Sequence, residues 1–167
     1  MRRTEAMLAG FYIPWVPRPW LMKRMGRWHV RLFRATRGLV GRRADGLDML
    51  LLTTRGRRSG ALRTTPLPYF RDAGRLVVVA SSGGSDRDPA WLRNLDAEPA
   101  VSVELGASPV AAHARRARPA ERARLWATIT HAHPRYRAYQ QKTSREIPLV
   151  VLEPSRPDAA PAFGATR

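Results

Sequence analysis

The sequence predicts a mainly β fold with short helices, closed into a small barrel or a closed antiparallel sheet. After residue 46, short apolar runs alternate with turn residues, which is typical of antiparallel strands. Only short helical patterns separate these runs, which disfavours a doubly wound sheet with a full helix after each strand. A length of 167 residues fits one domain with a core of ordinary size.

Six strands are predicted in this part of the chain. They are Asp48–Thr54, Arg63–Arg71, Arg75–Ser81, Val101–Leu105, Val110–Arg116 and Ile147–Leu152. The tripeptide Asp72-Ala73-Gly74 has the composition of a tight turn. We therefore expect the second and third strands to form a hairpin.

Three short helices are predicted between the strands. They run from Asp88 to about Asn94, from Pro119 to about Thr130, and onward from Pro134. Asp88 is expected to cap the first helix, with Pro89 at its first helical position. The second is expected to bury Leu125, Trp126 and Ile129. The third carries Tyr136 and Tyr139 at a spacing that places both on one face.

Residues 1–40 are predicted to form a basic amphipathic helical segment in front of a barrel domain over 41–154. A helix is expected from Pro19 to Arg37. Its apolar stripe consists of Leu21, Met25, Trp28 and Leu32, and its other side carries Lys23, Arg27, Arg31 and Arg34. Such a helix either packs its stripe on its own domain, which is the commoner use, or lies on an anionic membrane surface.

The two ends of the chain carry weaker signals. The apolar stretch Met7–Pro17 is interrupted by Gly10 and Pro14 and lacks a small-residue cleavage site, so no secretory signal is expected. Residues 155–167 are rich in Pro and Ala and are predicted to be disordered. A cytoplasmic location is expected, with peripheral contact at the inner face of the plasma membrane left open.

The charge of the chain predicts an anionic partner. The formal net charge is +17, and residues 1–63 contain 15 of the 30 basic residues but only three acidic ones. Nucleic acid, acidic lipid and a polyanionic small molecule all fit such a surface. The sequence has no cysteine, and its four histidines form no ligand pattern, so no metal site is expected.

Two loops have compositions suited to binding an anion or a ligand oxygen. The first, from Gly56 to Gly60, contains two arginines and a serine, and its glycines are expected to turn successive peptide N–H groups toward one point. Guanidinium groups bind phosphate and carboxylate oxygens bidentately. The alternative is an ordinary hairpin turn with solvated arginines. The second loop, from Ala80 to Gly84, follows a strand and precedes a helix, where free N–H groups bind carbonyl or ring oxygens.

Several blocks of residues, in a fixed order along the chain, resemble the motifs of a known protein family. The blocks are Gly56 to Gly60 with Arg63 and Pro66-Leu67; Ala80 to Gly84 with Pro89-Ala90-Trp91 and Asn94-Leu95; Glu98-Pro99 with Val101 and Val103; Glu121 to Trp126; and Pro134, Tyr136, Tyr139-Gln140, Thr143, Arg145 and Ile147 to Pro154. Over residues 28–154 the chain resembles the family of deazaflavin (F420)-dependent nitroreductases and F420H2-dependent quinone reductases.

The resemblance implies a split β-barrel, like that of FMN-binding proteins, that binds coenzyme F420. This coenzyme is an 8-hydroxy-5-deazaflavin with a phosphate, lactyl and oligoglutamate tail. By the resemblance, the tail is held by Arg57, Arg58, Ser59 and Arg63. The adjoining strand contributes Thr64, Thr65 and Pro66. The ring contacts Val79, Ala80, Ser81 and Ser82, and the pocket is lined by Ala90, Trp91, Asn94 and Tyr136.

The resemblance also implies an oxidoreductase that transfers hydride between the deazaflavin and a hydrophobic acceptor, such as a quinone, an activated alkene or a nitro-aromatic. A hydroxyl near the ring stabilises charge on the acceptor or supplies a proton. Tyr136 is the first candidate, Tyr139 the second, and Ser81 the hydroxyl nearest the ring. The alternative is that both tyrosines only pack the last helix on the barrel.

Other readings remain open at this stage. An FMN-dependent split-barrel oxidoreductase is the nearest alternative. A non-enzymatic basic module that binds nucleic acid or a membrane is a second, although no nucleic-acid motif is present. Barrels of this kind resemble known homodimers, so a homodimer is possible. The chain departs from the family pattern at Ser82, Leu92 and His133.

Overall fold

The computed structural model describes residues 28–106 and 108–155. Its helices are α1 over residues 28–35, α2 Ala90–Ala97, α3 Pro119–Ala132 and α4 Arg135–Gln141. Its strands are β1 Arg43–Ala44, β2 Leu47–Arg55, β3 Leu62–Asp72, β4 Arg75–Val79, β5 Ala100–Glu104, β6 Pro109–Arg116 and β7 Leu149–Pro154. The stretch Met7–Pro17, the first part of the predicted N-terminal helix and the tail beyond residue 155 lie outside the described residues.

The six strands β2 to β7 close into an antiparallel barrel. The order of neighbours is β1-β2-β3-β4-β7-β6-β5, and β5 returns to pair with β2. This arrangement confirms the predicted fold class, a mainly β split barrel with short helices. Closure removes exposed sheet edges from most of the circumference.

The interior of the barrel follows the two-residue period of its strands. Side chains that alternate along each strand meet inside, where the core contains Leu50, Leu52, Val78, Val101, Val103, Ala112, Ala114, Val150 and Leu152. Most of these are fully buried. Helix α2 covers the core with Trp91, Leu92 and Leu95. The alternation that predicted the strands is therefore the pattern that fills the barrel.

A second core lies outside the barrel wall, between the sheet and the last two helices. Outward-facing Val77 and Val79 of β4 and Leu149 and Val151 of β7 contact the apolar side chains of α3 and α4. The α3 and α4 side chains in this cluster are Leu125, Ile129 and Tyr136. These two strands are consequently apolar on both faces, as the run of valines and leucines in each suggests.

Helix α1 contacts the barrel through a different face from the predicted apolar stripe. Phe33 is fully buried, and Arg34 donates two hydrogen bonds to the carboxylate of Glu104 on β5. Trp28 and Leu32 of the stripe are instead 66% and 48% exposed. In the described part of this helix, the predicted apolar stripe therefore does not pack on the barrel. No helix within the described ranges is long and apolar enough to cross a bilayer.

The predicted elements need four local corrections. The first concerns strand ends, since β7 begins two residues later than expected, at Leu149, and β4 ends two residues earlier than expected, at Val79. Trp126 is only half-buried and stacks under the guanidinium of Arg122. The short strand β1, which pairs with the start of β2, was not predicted.

The fourth correction concerns the start of α2. Pro89, not Asp88, occupies the N-cap position, and no side chain caps the helix. Asp88 accepts hydrogen bonds from Arg145 at 3.0 Å and from Arg116 at 3.4 Å. A carboxylate between two guanidinium groups gains more than it would from capping one turn.

Candidate functional site

The Gly-Arg loop, residues 56–61, closes the hairpin between β2 and β3. The N–H of Gly56 donates to the carbonyl of Ala61 at 2.8 Å, and the Gly56 carbonyl accepts from Gly60 N at 2.7 Å. Gly60 has φ +66°, a left-handed conformation that glycine adopts without strain. A Cβ at Gly56 would lie 2.9 Å from Ser59 Oγ. The turn therefore depends on both glycines.

Most peptide N–H groups of the Gly-Arg loop bond within the protein, which corrects the expectation that successive N–H groups converge on a ligand; among the described residues, the N–H of Arg58 has no acceptor. Ser59 and Gly60 both donate to the carbonyl of Gly56. The N–H of Arg57 donates to Asn94 Oδ1 at 3.2 Å. These bonds complete the hairpin, so an anion at this loop is held mainly by arginine side chains, with the N–H of Arg58 as the remaining loop donor.

Asn94 on α2 fixes the Gly-Arg loop to the end of β2. Its amide nitrogen donates to Thr54 Oγ1 at 3.1 Å while its oxygen accepts from Arg57. Asn94 is buried, and burial is tolerated because both ends of its amide are bonded. Its geometry is that of a residue that positions the loop; contact with a ligand stays a prediction.

The loop arginines differ from most other arginines in their surroundings. Arg57, Arg58 and Arg63 are exposed. Among the described residues, none of the three side chains has an ion-pair or hydrogen-bond partner. Three guanidinium groups of this kind at one hairpin form a region of positive potential that is available to an external anion.

The Ser-Gly loop, residues 80–84, forms a backbone nest at the end of β4. Ser81 is right-handed, with φ −71° and ψ −37°, and Ser82 is left-handed, with φ +48°. This sequence of conformations directs successive N–H groups into one concavity. Within the described part of the chain, the N–H groups of Ser81 and Ser82 donate to no protein acceptor. The nest can therefore accept a ligand oxygen.

The nest and the Gly-Arg loop lie at the same edge of the sheet. Strand β3 begins just after the loop, and its antiparallel neighbour β4 ends just before the nest. Tyr69, opposite Val78, is the residue of β3 at which pairing with β4 ends, and Ser81 follows Val78 by three residues. Tyr69 is seven residues from the start of β3 at Leu62, or about 23 Å along the strand.

The first part of β3, before Tyr69, is not paired with β4. β4 pairs with β3 only from Tyr69 onward, whereas β2 pairs with β3 from Leu62. Pro66 and Pro68 lie in the open stretch, where a missing peptide N–H breaks no ladder. Thr64 and Pro66 are half-buried on the outer side of the strand, and Thr65 points toward the barrel interior. The unpaired stretch of β3 lies between the loop and the nest, and the surface along it is the binding groove proposed below.

Helix α4 forms the far wall of the nest. A Cβ on Gly84 would lie 2.7 Å from the carbonyl oxygen of Tyr139 and 2.9 Å from Lys142 Cβ. Only glycine permits this approach, and its φ of +86° also suits glycine. The close packing places the Tyr139 turn of α4 directly against the Ser-Gly loop.

An aromatic series connects α4 to β3. Tyr136 makes edge contacts with Phe70 at 5.8 Å and with Tyr139 at 5.9 Å between ring centroids, and Phe70 also meets His133 at 5.2 Å. Tyr136 is 4% exposed, and burial raises the pKa of its phenol to about 12. Its hydroxyl makes no hydrogen bond to the described residues. It is therefore a protonated donor at neutral pH.

The remaining predicted site residues are divided between core and surface. Val79 points into the outer core, and the N–H of Ala80 donates to the carbonyl of Pro148 at 2.9 Å. Trp91 is buried in the barrel core, and Ala90 is exposed at the start of α2. Of these four, Ala90 alone presents surface at the predicted pocket.

Arg145 was identified only as part of a motif, yet it is central to the Ser-Gly loop. Its guanidinium donates to Ala80, Ser81, Ser85 and Asp88, which lie 57 to 65 positions earlier in the chain. Local sequence patterns do not predict contacts between residues that are so far apart in the chain, so this role of Arg145 was not predicted.

These features define a class, a small split-barrel protein with a cluster of exposed arginines, unpaired within the described residues, and a backbone nest at the same end of β3 and β4. The comparisons with known proteins specify the family. The family model for F420H(2)-dependent quinone reductases matches residues 24–154, and the chain belongs to this family. Membership confirms the predicted class of enzyme, an F420-dependent oxidoreductase, and the predicted cofactor, coenzyme F420.

Individual relatives agree with this assignment. The chain is 39% identical over 141 residues to the F420H(2)-dependent quinone reductase Rv1261c of Mycobacterium tuberculosis, with 80% of this chain and 95% of that protein covered. Among solved structures, the F420-H2 dependent reductase FDR-A has a TM-score of 0.57 and 38% identity over 63% of this chain and 93% of its own. A domain-swapped dimer has a TM-score of 0.60 and 33% identity, with 80% and 97% covered.

Proposed function

We propose that this chain reduces a quinone with F420H2 in the groove between the Gly-Arg loop and the nest. The observation that carries the proposal is the placement of these two anion-binding features at one edge of the sheet, joined by the open stretch of β3. A polyanionic tail and an oxygen-bearing ring at opposite ends of one molecule need this arrangement.

Each end of the groove has a distinct task in this proposal. Arg57, Arg58 and Arg63 hold the phosphate and carboxylates of the tail by charge-assisted hydrogen bonds. The free N–H groups of Ser81 and Ser82 hold an oxygen of the ring. Half-buried Thr64 and Pro66 lie beside the molecule and exclude water along its length.

The proton that accompanies reduction is assigned to the tyrosines of α4. When bound, the coenzyme supplies a hydride carried on carbon, so the acceptor gains two electrons in one step. A quinone that has received a hydride becomes a neutral hydroquinone by taking up one proton. Tyr136, which is protonated at neutral pH, is the first candidate donor, and Tyr139 is the second. Ser81 is the hydroxyl closest to the nest.

A direct test uses binding first and turnover second. Fluorescence titration of the purified protein with F420 is expected to give saturable binding, and titration with FMN much weaker binding. Oxidation of F420H2 is then followed with a soluble naphthoquinone and, separately, with a nitro-aromatic. Preferential reduction of the naphthoquinone supports the proposal. Absence of F420 binding, or equal affinity for FMN, contradicts it.

We also propose that the face around α1 rests on an anionic membrane, where hydrophobic quinones are found. Four large apolar side chains in residues 28–40 are exposed, namely Trp28, Leu32, Leu39 and Val40, at 66%, 48%, 86% and 46%. The sequence from 28 to 44 contains five arginines and no acidic residue. Exposed apolar groups among cations are typical of interfacial segments.

Vesicle sedimentation tests the membrane face. Wild-type protein is expected to sediment with phosphatidylglycerol vesicles but not with phosphatidylcholine vesicles, and to lose binding as salt rises. The double variant Trp28→Ser, Leu39→Ser is expected to bind several-fold more weakly. The matched control is Val110→Ser, which changes an apolar residue that is 53% exposed on β6. Equal loss in the control would count against a specific face.

A homodimer is the remaining proposal about partners. It is supported by the domain-swapped dimer among the structural neighbours. Light scattering on the purified protein is expected to give twice the chain mass of 18.8 kDa. A mass of one chain at micromolar concentration contradicts it.

A further inference from the structure

The Ser-Gly loop owes its shape to one guanidinium group. Arg145 Nη2 donates to the carbonyl oxygens of both Ala80 and Ser81 at 2.9 Å. Its Nε donates to the carbonyl of Ser85 at 2.7 Å, and its Nη1 to the carboxylate of Asp88 at 3.0 Å. The side chain is only 15% exposed. Arg145 thus bonds the loop on both sides of its left-handed residues.

The positions of these bonds determine where the nest points. In a planar trans peptide, the carbonyl of one residue and the N–H of the next point in opposite directions. The carbonyls of Ala80 and Ser81 point at Arg145. The N–H groups of Ser81 and Ser82, in the same two peptide planes, therefore both point away from it, into the concavity.

The same contact changes the electrostatics of the nest. A cation bonded to a carbonyl polarises the peptide, and polarised peptides are stronger donors at their N–H ends. Through two peptide planes, Arg145 makes the concavity more attractive to negative charge without entering it. This cation also offsets the strain of the left-handed Ser82, whose φ of +48° is uncommon for a residue with a side chain.

Arg145 is itself held in place by a carboxylate. Asp88 accepts from Arg145 and lies 3.4 Å from Arg116, which also pairs with Asp96 at 2.7 Å. This chain of ion pairs runs from the Ser-Gly loop to α2 and β6. Because several groups fix Asp88, the guanidinium has little freedom to turn away from the loop.

We infer that Arg145 is a positioning residue for the ring-binding nest, which orients and polarises the Ser81 and Ser82 N–H groups toward a ring oxygen. This inference rests on the proposed function, in which the nest holds the deazaflavin ring.

The test separates the ring from the tail. Two ligands are titrated by fluorescence: F420 and its riboside, which has the same ring but no phosphate and no glutamates. Arg145→Gln is expected to weaken both ligands by the same factor, roughly tenfold or more. It is also expected to shift the absorption spectrum of the bound ring. Arg57→Ala, Arg58→Ala should weaken F420 and leave riboside affinity unchanged.

Two further variants complete the test. Arg122→Gln is the matched control, because Arg122 is 16% exposed, donates to the carbonyl of Ile147 and pairs with Glu146, but has no hydrogen bond to the described Ser-Gly loop. It should leave ring affinity and spectrum unchanged. Arg145→Lys, which keeps the charge but not the fork, should restore part of the affinity.

Several outcomes would overturn the inference. The inference is wrong if folded Arg145→Gln binds the riboside with wild-type affinity and gives a wild-type spectrum. It is also wrong if Arg122→Gln loses as much riboside affinity as Arg145→Gln does. If Arg145→Gln does not fold, Arg145→Lys decides, and unchanged riboside affinity and spectrum there reject it. Failure of wild-type protein to bind either ligand is different, because that result removes the proposed function itself.

Discussion

Two groups of arginines in this barrel have opposite surroundings. Around Glu121, the side chains of Arg75, Arg115 and Arg124 meet the carboxylates of Asp72, Glu121 and Glu153. At the Gly-Arg loop, Arg57, Arg58 and Arg63 are exposed and meet no carboxylate among the described residues. The residue type is the same in both groups, and the neighbouring acids differ.

The difference separates a structural role from the binding role that is proposed for the Gly-Arg loop. The Glu121 group joins the β3–β4 turn, β6, β7 and α3, and its charges largely neutralise one another. Arg115 and Arg75 lower the pKa of Glu121 to about 2, and Arg124 and Arg75 lower the pKa of Asp72 to about 2. The loop group leaves its charge available. A net charge of +17 is therefore informative only once the paired arginines are identified.

The strongest test of this comparison changes Arg57 and Arg58 together to alanine. F420 affinity is expected to fall by about 2–5 kcal/mol, from the loss of charge-assisted hydrogen bonds worth roughly 1.5–3 kcal/mol each. The free energy of unfolding should hardly change, because neither side chain has a partner in the part of the chain that the structure describes. Fluorescence titration and urea unfolding measure the two quantities.

Arg124→Ala is the control for this variant. It removes a guanidinium that pairs with Asp72 at 2.8 Å and lies outside the groove. It should lower stability slightly and leave F420 affinity unchanged. Unchanged F420 affinity in the loop variant would remove the assignment of the tail to these arginines.

A smaller effect is expected from Glu121→Gln. Loss of the carboxylate leaves Arg115 with fewer partners and should lower the free energy of unfolding by about 1.5–3 kcal/mol. F420 affinity should not change in the folded protein. A loss of F420 affinity as large as that of the Arg57 and Arg58 double variant would mean that the two arginine groups are coupled rather than separate.

The pH dependence of stability gives the same comparison in another form. The pKa of Glu121 is depressed from 4.5 to about 2, so its stabilising contribution is complete above about 4.5 and is lost as pH falls toward 2. Urea unfolding of wild-type protein should therefore show a steep decline over that interval. The decline should be shallower in Glu121→Gln, and identical curves would show that this ion pair contributes no stability.

The smallest effect is expected from Tyr136→Phe. This variant tests whether Tyr136, which packs between the barrel and α4, also donates a proton in the reaction. F420 affinity and stability should stay near wild type, because the ring contacts with Phe70 and Tyr139 are kept. The value of kcat for quinone reduction should fall several-fold if the hydroxyl supplies the proton. A collapse of F420 affinity would instead place Tyr136 in the cofactor site or the core.

The strands and the barrel were predictable because their signals are local. Alternating side chains such as Leu50 and Leu52 identify a strand, and the glycines at 56 and 60 identify the turn that closes the hairpin. The composition of the two loops also indicated anion binding. In the Gly-Arg loop, however, the expected donors were the wrong ones. Apart from that of Arg58, the N–H groups are used by the hairpin and by Asn94, so the side chains are the main donors that remain.

The errors share one cause. Asp88 was assigned to the helix that follows it, since capping is a local interaction, but its partners Arg116 and Arg145 are 28 and 57 positions away. The apolar stripe of α1 was read in the same local way. Phe33 and the Arg34–Glu104 pair, which spans 70 positions, determine which face of that helix meets the barrel.

The sequence by itself determined the strands, the tight turns and the chemical character of the two loops, because each depends on residues a few positions apart. Tertiary structure decided which arginines stay available, where the nest points and which face of α1 is exposed. Those outcomes depend on partners that barrel closure brings together from distant parts of the chain. An ionic or hydrogen-bonding side chain takes its role from such partners.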